Sequence, residues 1–257
     1  MSKYFRARIK ENRKLNKDHN LLILTPLTPI KEPEPGQFYM IGMGREEYDP
    51  LLKRPFSPLS SSPESIQILY RIRGRGTLIM SNMGEGSVLD ILGPLGNAYP
   101  MPARNHIPLV IAGGIGIASL FSLSKKLSKR AYIFYGARKR NELLLMDELK
   151  NFAKELFIST NDGSVGEKCD ITDILKRFLN SQSYLSDKFL LYLCGPKPML
   201  KAILEIIKDR KINAYVSMEE NMACGIGACL GCAVKTVKGY KMVCKEGPVF
   251  PIEEIVW

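Results

Sequence analysis

Four cysteines crowd one end of this chain: Cys224, Cys229, Cys232 and Cys244. The run is Cys224-Gly-Ile-Gly-Ala-Cys229-Leu-Gly-Cys232, followed by Cys244. The pattern C-x4-C-x2-C…C is the plant-type [2Fe–2S] spacing. Two irons need four thiolates converging on one compact group, so the loop must wrap closely around it. Gly225, Gly227 and Gly231 permit the backbone dihedrals that wrapping requires. Amides brought close to the sulfurs then help set the potential. A structural zinc site is the alternative, because four cysteines including a C-x2-C pair would satisfy zinc. Zinc ribbons show two such knuckles, and here there is one. The interval before Cys244 is shorter than in plant-type ferredoxins, which argues against a free-standing ferredoxin and not against a cluster. The segment from Glu219 onward is too short to fold on its apolar content, so a bound group would have to stabilise it.

The remaining bounds are broad. A chain of 257 residues allows two ordinary domains, or two with a small appendage. Hydrophobic residues at 45% and charged residues at 25% give a globular mix and exclude general disorder. No apolar run approaches the roughly 20 residues that span a bilayer. The segment 1–20 is rich in Lys and Arg but has no apolar core, so it reads as no secretory signal. A cytoplasmic protein is expected, where clustered cysteines ligate metals rather than form disulfides. The formal charge of +11 reads as a solubility surface, or as a field that draws phosphates or an acidic partner. Nucleic acid is not expected, because the basic residues are spread out and no zinc-finger or RNP motif accompanies them. Lys3, Arg6, Arg8, Lys10, Arg13, Lys14 and Lys17, with Tyr4, Ile9 and Leu15 between them, look like the outer face of a strand.

Three sections follow from the pattern. Residues 1–101 hold short strand-like runs (21–24, 37–41, 65–71, 87–92) broken by Pro and Gly, as in a small antiparallel barrel or sandwich. Residues 102–218 alternate buried strand and helix, which implies a doubly wound parallel α/β sheet. Its expected strands are 107–112, 131–135, 156–159, 189–194 and 214–218. Its expected helices are 117–127, 142–154, 171–179 and 198–208. Such sheets bind nucleotides at the carboxyl ends of their strands. Residues 219–257 form the cysteine-rich section.

Several short motifs bear on ligands. Arg54-Pro55-Phe56-Ser57 joins a guanidinium able to grip a pyrophosphate with a hydroxyl that could reach a flavin ring nitrogen. Leu69-Tyr70-Arg71 ends a strand, and Gly76-Thr77 in Gly74-Arg75-Gly76-Thr77 opens a helix whose amides would face phosphate. Each alone is more often a plain turn; their order makes coincidence less frequent. Gly113, Gly114 and Gly116 lie between a buried strand and a helix, the context of a nucleotide loop. The strict G-x-G-x-x-G fails at Ser119, and no acid ends the next strand, where Gly136-Ala137-Arg138 stands. Cys194-Gly195-Pro196 follows the last long strand. A strand-end cysteine is commonly a buried core residue; the functional reading places it beside a nicotinamide.

Taken in order, these motifs and the terminal cysteines resemble the electron-transfer subunits of dihydroorotate dehydrogenase B, within the ferredoxin–NADP reductase superfamily. The stretch Glu219-Glu220-Asn221-Met222-Ala223-Cys224 and the run from Cys244 to Phe250 carry the likeness most closely. The resemblance implies FAD on the first section, held by Arg54, Pro55, Phe56, Ser57, Leu69, Tyr70, Arg71, Gly76 and Thr77. It implies NAD on the second, and Cys224, Cys229, Cys232 and Cys244 as ligands of the cluster. It also implies an FMN-containing catalytic partner in a heterotetramer of two chains of each kind, and a place in pyrimidine biosynthesis. No catalytic acid or base is expected in this chain. The alternatives are the small subunit of an NADH-dependent ferredoxin:NADP oxidoreductase or of a sulfhydrogenase, and a non-enzymatic nucleotide-binding scaffold with a zinc knuckle.

Overall fold

A computed structural model describes residues 3–43 and 49–257. The chain divides into two compact units: residues 1–98 with 218–249, and residues 99–217 with 250–257. The greater part of the cysteine-rich section, residues 219–249, packs with the N-terminal strands.

The first unit is built on a curled antiparallel sheet. Its strands are β1 (Lys3–Lys14), β2 (His19–Pro26), β3 (Phe38–Gly42), β4 (Arg54–Phe56), β5 (Ser60–Ser62), β6 (Ser65–Arg71) and β7 (Val88–Leu95). The order β4-β3-β7-β1-β2-β6-β5 leaves β4 and β5 at the two ends, so the barrel is open. Alternation decides the core. Phe5, Ala7 and Ile9 of β1, Ile66, Ile68 and Tyr70 of β6, and Leu89 and Ile91 of β7 point inward and are buried. Each such aliphatic side chain contributes about 1.5–3 kcal/mol on burial. On β1, Arg6, Arg8 and Lys10 point outward, as do Arg13, Lys14 and Lys17 beyond the inward-facing stretch. Tyr4 is on that outer face too, with its hydroxyl donating to Asp90 Oδ1 at 2.6 Å. The side chain of Lys3 lies outside the described residues.

A register shift between Ile9 and Glu11 changes which side chains face inward. Beyond it Asn12, not Glu11, enters the interior. Its Nδ2 donates to the carbonyls of Met80 at 2.8 Å and Met83 at 3.0 Å. Met80 lies in the last turn of the short helix α1 (Arg75–Ser81), and Met83 in the segment just after it. Tyr70 Oη and Asn20 Nδ2 donate to Asn12 Oδ1 at 3.0 and 3.3 Å. This polar network ties the carboxyl end of α1 to the sheet. The same unit holds a hairpin, β13 (Ala233–Thr236) with β14 (Gly239–Met242).

The second unit is the doubly wound sheet. Its elements are β8 (Ile107–Gly113), α2 (Ile117–Leu127), β9 (Tyr132–Ala137), α3 (Met146–Phe152), β10 (Glu155–Thr160), α4 (Ile171–Ser181), β11 (Phe189–Cys194), α5 (Lys197–Ile207) and β12 (Asn213–Ser217). With β15 (Val249–Pro251) the sheet order is β10-β9-β8-β11-β12-β15, and the first five strands are parallel. The chain winds outward from β8 to β10, then returns to β11 on the other side of β8. That reversal is the switch point where such folds take ligands. Right-handed crossovers put α2 and α3 on one face and α4 and α5 on the other. Phe178 of α4 packs against Tyr132, Phe134, Phe157 and Phe189, which fixes that helix on four strand residues.

The expected helix 142–154 is shorter than its pattern. A 3-10 turn covers Arg140–Glu142, and α3 begins only at Met146. Leu145 takes a left-handed φ of 59°, and the buried Tyr135 hydroxyl binds the Glu142 carbonyl and the Leu144 amide. A tertiary hydrogen bond has taken the backbone groups that a longer helix would use.

Candidate cofactor sites

The four cysteines form two couples. Cys224 and Cys229 hydrogen-bond to each other, and so do Cys232 and Cys244. Among the described residues no three metal-ligating side chains gather about a single ion position. Backbone amides point at the cysteine sulfurs. Ile226 and Ala228 donate to Cys224 Sγ at 3.4 and 3.3 Å, Gly227 to Cys244 Sγ at 3.1 Å, and Cys244 to Cys232 Sγ at 3.4 Å. Burial works against the Cys224 thiolate. The amides of Ile226, Cys229 and Ala228 and the Cys229 thiol outweigh it and lower the pKa to about 6. For Cys244, burial and then the adjacent Cys232 thiol raise it to about 12. A thiol already disposed to ionise, ringed by amides, is a donor suited to iron.

The glycines of the loop divide in role. Gly225 and Gly227 take φ of 74° and 80°, as the wrapping requires. Gly231 does not; Leu230 takes the left-handed value instead, at 59°. A Cβ at Gly225 would lie 2.5 Å from Met40 Cγ and 3.1 Å from Leu95 Cδ1, so the loop is seated on β3 and β7. Asn97 fastens the following turn, donating from its amide to Gly247 O at 2.6 Å and from Nδ2 to Glu246 O at 2.7 Å. Met40 pairs with Pro55 in the β3–β4 ladder. The cysteine loop thus rests on the strand that carries the Arg54-Pro55-Phe56 motif on its other side.

The structure brings two of the flavin motifs together. Gly76, in the first turn of α1, lies under the Arg54 guanidinium: a Cβ there would come 2.6 Å from Nε. Arg54 also donates to the carbonyl of Leu52. Phe56 meets Tyr70 edge to face at 6.0 Å, joining β4 to the end of β6. Ser57 follows β4 and is half-buried. Two other residues have structural duties. Thr77 Oγ1 accepts the amides of Arg73 and Gly74 at 2.9 and 3.2 Å and donates to Gly74 O, so it shapes the turn. Tyr70 is buried with its hydroxyl in the Asn12 network, where burial raises its pKa to about 12. Leu69 is buried and Arg71 exposed.

In the second unit, Gly113 ends β8, and Gly114 and Gly116 form the turn into α2. A Cβ at Gly116 would strike the Cys194 carbonyl, and one at Gly195 would lie 3.0 Å from Gly113 N. The ends of β8 and β11 therefore touch backbone to backbone at the switch point, and only glycines allow it. Cys194 is fully buried at that junction. The sequence reading missed Asn12, Met40 and Asn97. A bulge, a sheet pairing and a turn contact recruit them, and none of these leaves a local pattern.

The comparisons with known proteins bear on the same segments. Residues 219–256 match the iron-sulfur cluster binding domain of dihydroorotate dehydrogenase B. Residues 110–205 match the oxidoreductase NAD-binding domain. The electron transfer subunit of dihydroorotate dehydrogenase B (NAD(+)) from Caldanaerobacter subterraneus subsp. tengcongensis is 38% identical over 98% of each chain. This chain belongs to the family of dihydroorotate dehydrogenase B electron transfer subunits. An Aquifex aeolicus protein named as a homolog of that subunit is 40% identical, over 93% of this chain and 92% of its own. A solved NADH-dependent reduced ferredoxin-NADP oxidoreductase superposes with a TM-score of 0.81 at 26% identity, covering 98% of this chain and 90% of its own. The ferredoxin reductase of carbazole 1,9a-dioxygenase shares the fold, with a TM-score of 0.69 at 20% identity over 83% of this chain and 69% of its own. A dihydroorotate dehydrogenase B subunit of this kind has its iron–sulfur and NAD-binding parts where the cysteine couples and the glycine turn lie. Among the described residues no helix is long and apolar enough to cross a membrane.

Proposed function

We propose that this chain serves an NAD-dependent dihydroorotate dehydrogenase as the oxidoreductase subunit that carries electrons between a catalytic partner and NAD, with FAD and one [2Fe–2S] cluster as cofactors. The observation that carries the reading is the pair of thiol couples ringed by amides, seated on the sheet that bears the Arg54–Gly76 contact. When bound, the flavin supplies exchange between two-electron nicotinamide chemistry and one-electron iron–sulfur chemistry.

The chain's own residues supply position. Cys224, Cys229, Cys232 and Cys244 would hold the cluster as two ligand pairs, and the amides aimed at their sulfurs would steady its charge. Arg54 and the backbone at Gly76 would grip the FAD pyrophosphate. Pro55, Phe56, Ser57, Leu69 and Arg71 would frame the rest of the cofactor, while Thr77 and Tyr70 would hold the turn and helix that present it. Gly113, Gly114, Gly116 and Gly195 would admit NAD close to the backbone, with Cys194 under the floor. No side chain is needed here as acid or base. The partner would carry FMN and the dihydroorotate site, in a cytoplasmic heterotetramer of two chains of each kind.

Purification through a tag on this chain from its native host tests the partnership. The expected product is a coloured complex containing a second, FMN-bearing chain in equal amount, with two irons per copy of this chain, as the ligand count requires. A coloured complex with a different flavoprotein would instead place the chain with the ferredoxin:NADP oxidoreductases, whose fold it shares.

A further inference from the structure

Dinucleotide-binding sheets commonly end their second strand with an acid that accepts the adenosine 2′-hydroxyl. Here β9 ends Gly136-Ala137-Arg138 and offers none in sequence. The fold brings one back. Tyr135, buried in β9, donates its hydroxyl to the Glu142 carbonyl at 3.1 Å and accepts the Leu144 amide at 3.0 Å. That clamp folds the turn over the strand it has just left. The Glu142 carboxylate then meets the Arg138 amide at 3.3 Å, just past the strand end. Arg138 Nε lies 3.1 Å from Oε1 and 3.2 Å from Oε2, and Nη2 lies 2.5 Å from Oε1. Only 13% of the Glu142 side chain is exposed.

The position is as telling as the contacts. Gly136 pairs with Gly113 in the β8–β9 ladder. The carboxylate therefore stands at the carboxyl end of the strand next to the glycine turn, where the missing acid belongs. The same pair bears on the basic run 138–140. A 2′-phosphate would need an uncommitted guanidinium, and that of Arg138 is engaged by Glu142. The Arg140 backbone is drawn toward β10 by Ser164, whose Oγ accepts its amide at 2.8 Å.

We propose that Glu142 sets the preference for NAD over NADP, accepting the 2′-hydroxyl and repelling a 2′-phosphate, with Arg138 as its positioning residue. The inference rests on the second unit being the nucleotide-binding one. The test uses the complete complex and measures kcat/KM for NADH and NADPH with an artificial electron acceptor. In Glu142→Gln the NADH-to-NADPH ratio is expected to fall about tenfold or more, the scale of one hydrogen bond to a charged group. Glu142→Asp is expected to recover part of it. The unaltered complex with 2′-deoxy-NADH needs no variant, and it should lose a similar factor against NADH. An unchanged ratio in Glu142→Gln, or equal use of NADH and its 2′-deoxy analogue, would overturn the assignment and leave Glu142 a structural anchor. Failure of the unaltered complex to oxidise NADH at all would count against the electron-transfer reading itself, a separate result.

Discussion

Cys229 is the exposed member of the four thiols, at the tip of the seated loop. Cys229→Ser should abolish the cluster's visible absorbance and electron transfer to the partner while FAD remains bound; normal partner-linked activity would refute the ligand assignment. Gly76 gives a complementary test. A methyl there meets Arg54 at 2.6 Å, so Gly76→Ala should displace the guanidinium and lower flavin content after dialysis. The cysteine cluster stood out in the sequence because three of its four members sit within nine residues at the plant-type spacing. The role of Tyr70 did not. Its motif suggested cofactor contact, but strand alternation turns it into the core, where Asn12 receives its hydroxyl.

At the scale of elements, α1 is only seven residues long and cannot persist on propensity. From β1, Asn12 holds the Met80 carbonyl in the last turn of α1 and the Met83 carbonyl just beyond it. Asn12→Ala removes both bonds and one partner of the Tyr70 hydroxyl, and it should cost about 1–3 kcal/mol in denaturant unfolding. Flavin retention should fall with it, since Gly76 lies on the same helix. Most strands and helices followed from period-2 and period-3.6 patterns. The helix α3 was over-extended because the Tyr135 hydroxyl reaches from β9 to the backbone of residues 142 and 144, which no window around them reveals. The bulge that turns Asn12 inward is equally silent in sequence.

For the whole molecule, the three expected sections and the two compact units divide the chain differently. Residues 218–249 cluster with the first strands, through Met40, Leu95 and Asn97. The cysteine loop itself wraps the site of the bound group, which should supply much of the segment's stability. Removing iron with a chelator should raise amide hydrogen exchange across 224–246, leaving the strands at 107–113 and 189–194 protected. Uniform protection before and after removal would mean that the segment folds without its cluster. The formal charge of +11 was legible from composition, but its purpose was not, since an outward basic row such as that on β1 suits a solubility surface or an attracting field equally.

The most direct measurement is dihydroorotate-dependent reduction of NAD+ by the complex purified through this chain, followed at the nicotinamide absorbance. Steady turnover is expected, and it should disappear in Cys229→Ser. A coloured complex containing flavin and iron that reduces NAD+ from no dihydroorotate would contradict the proposed function.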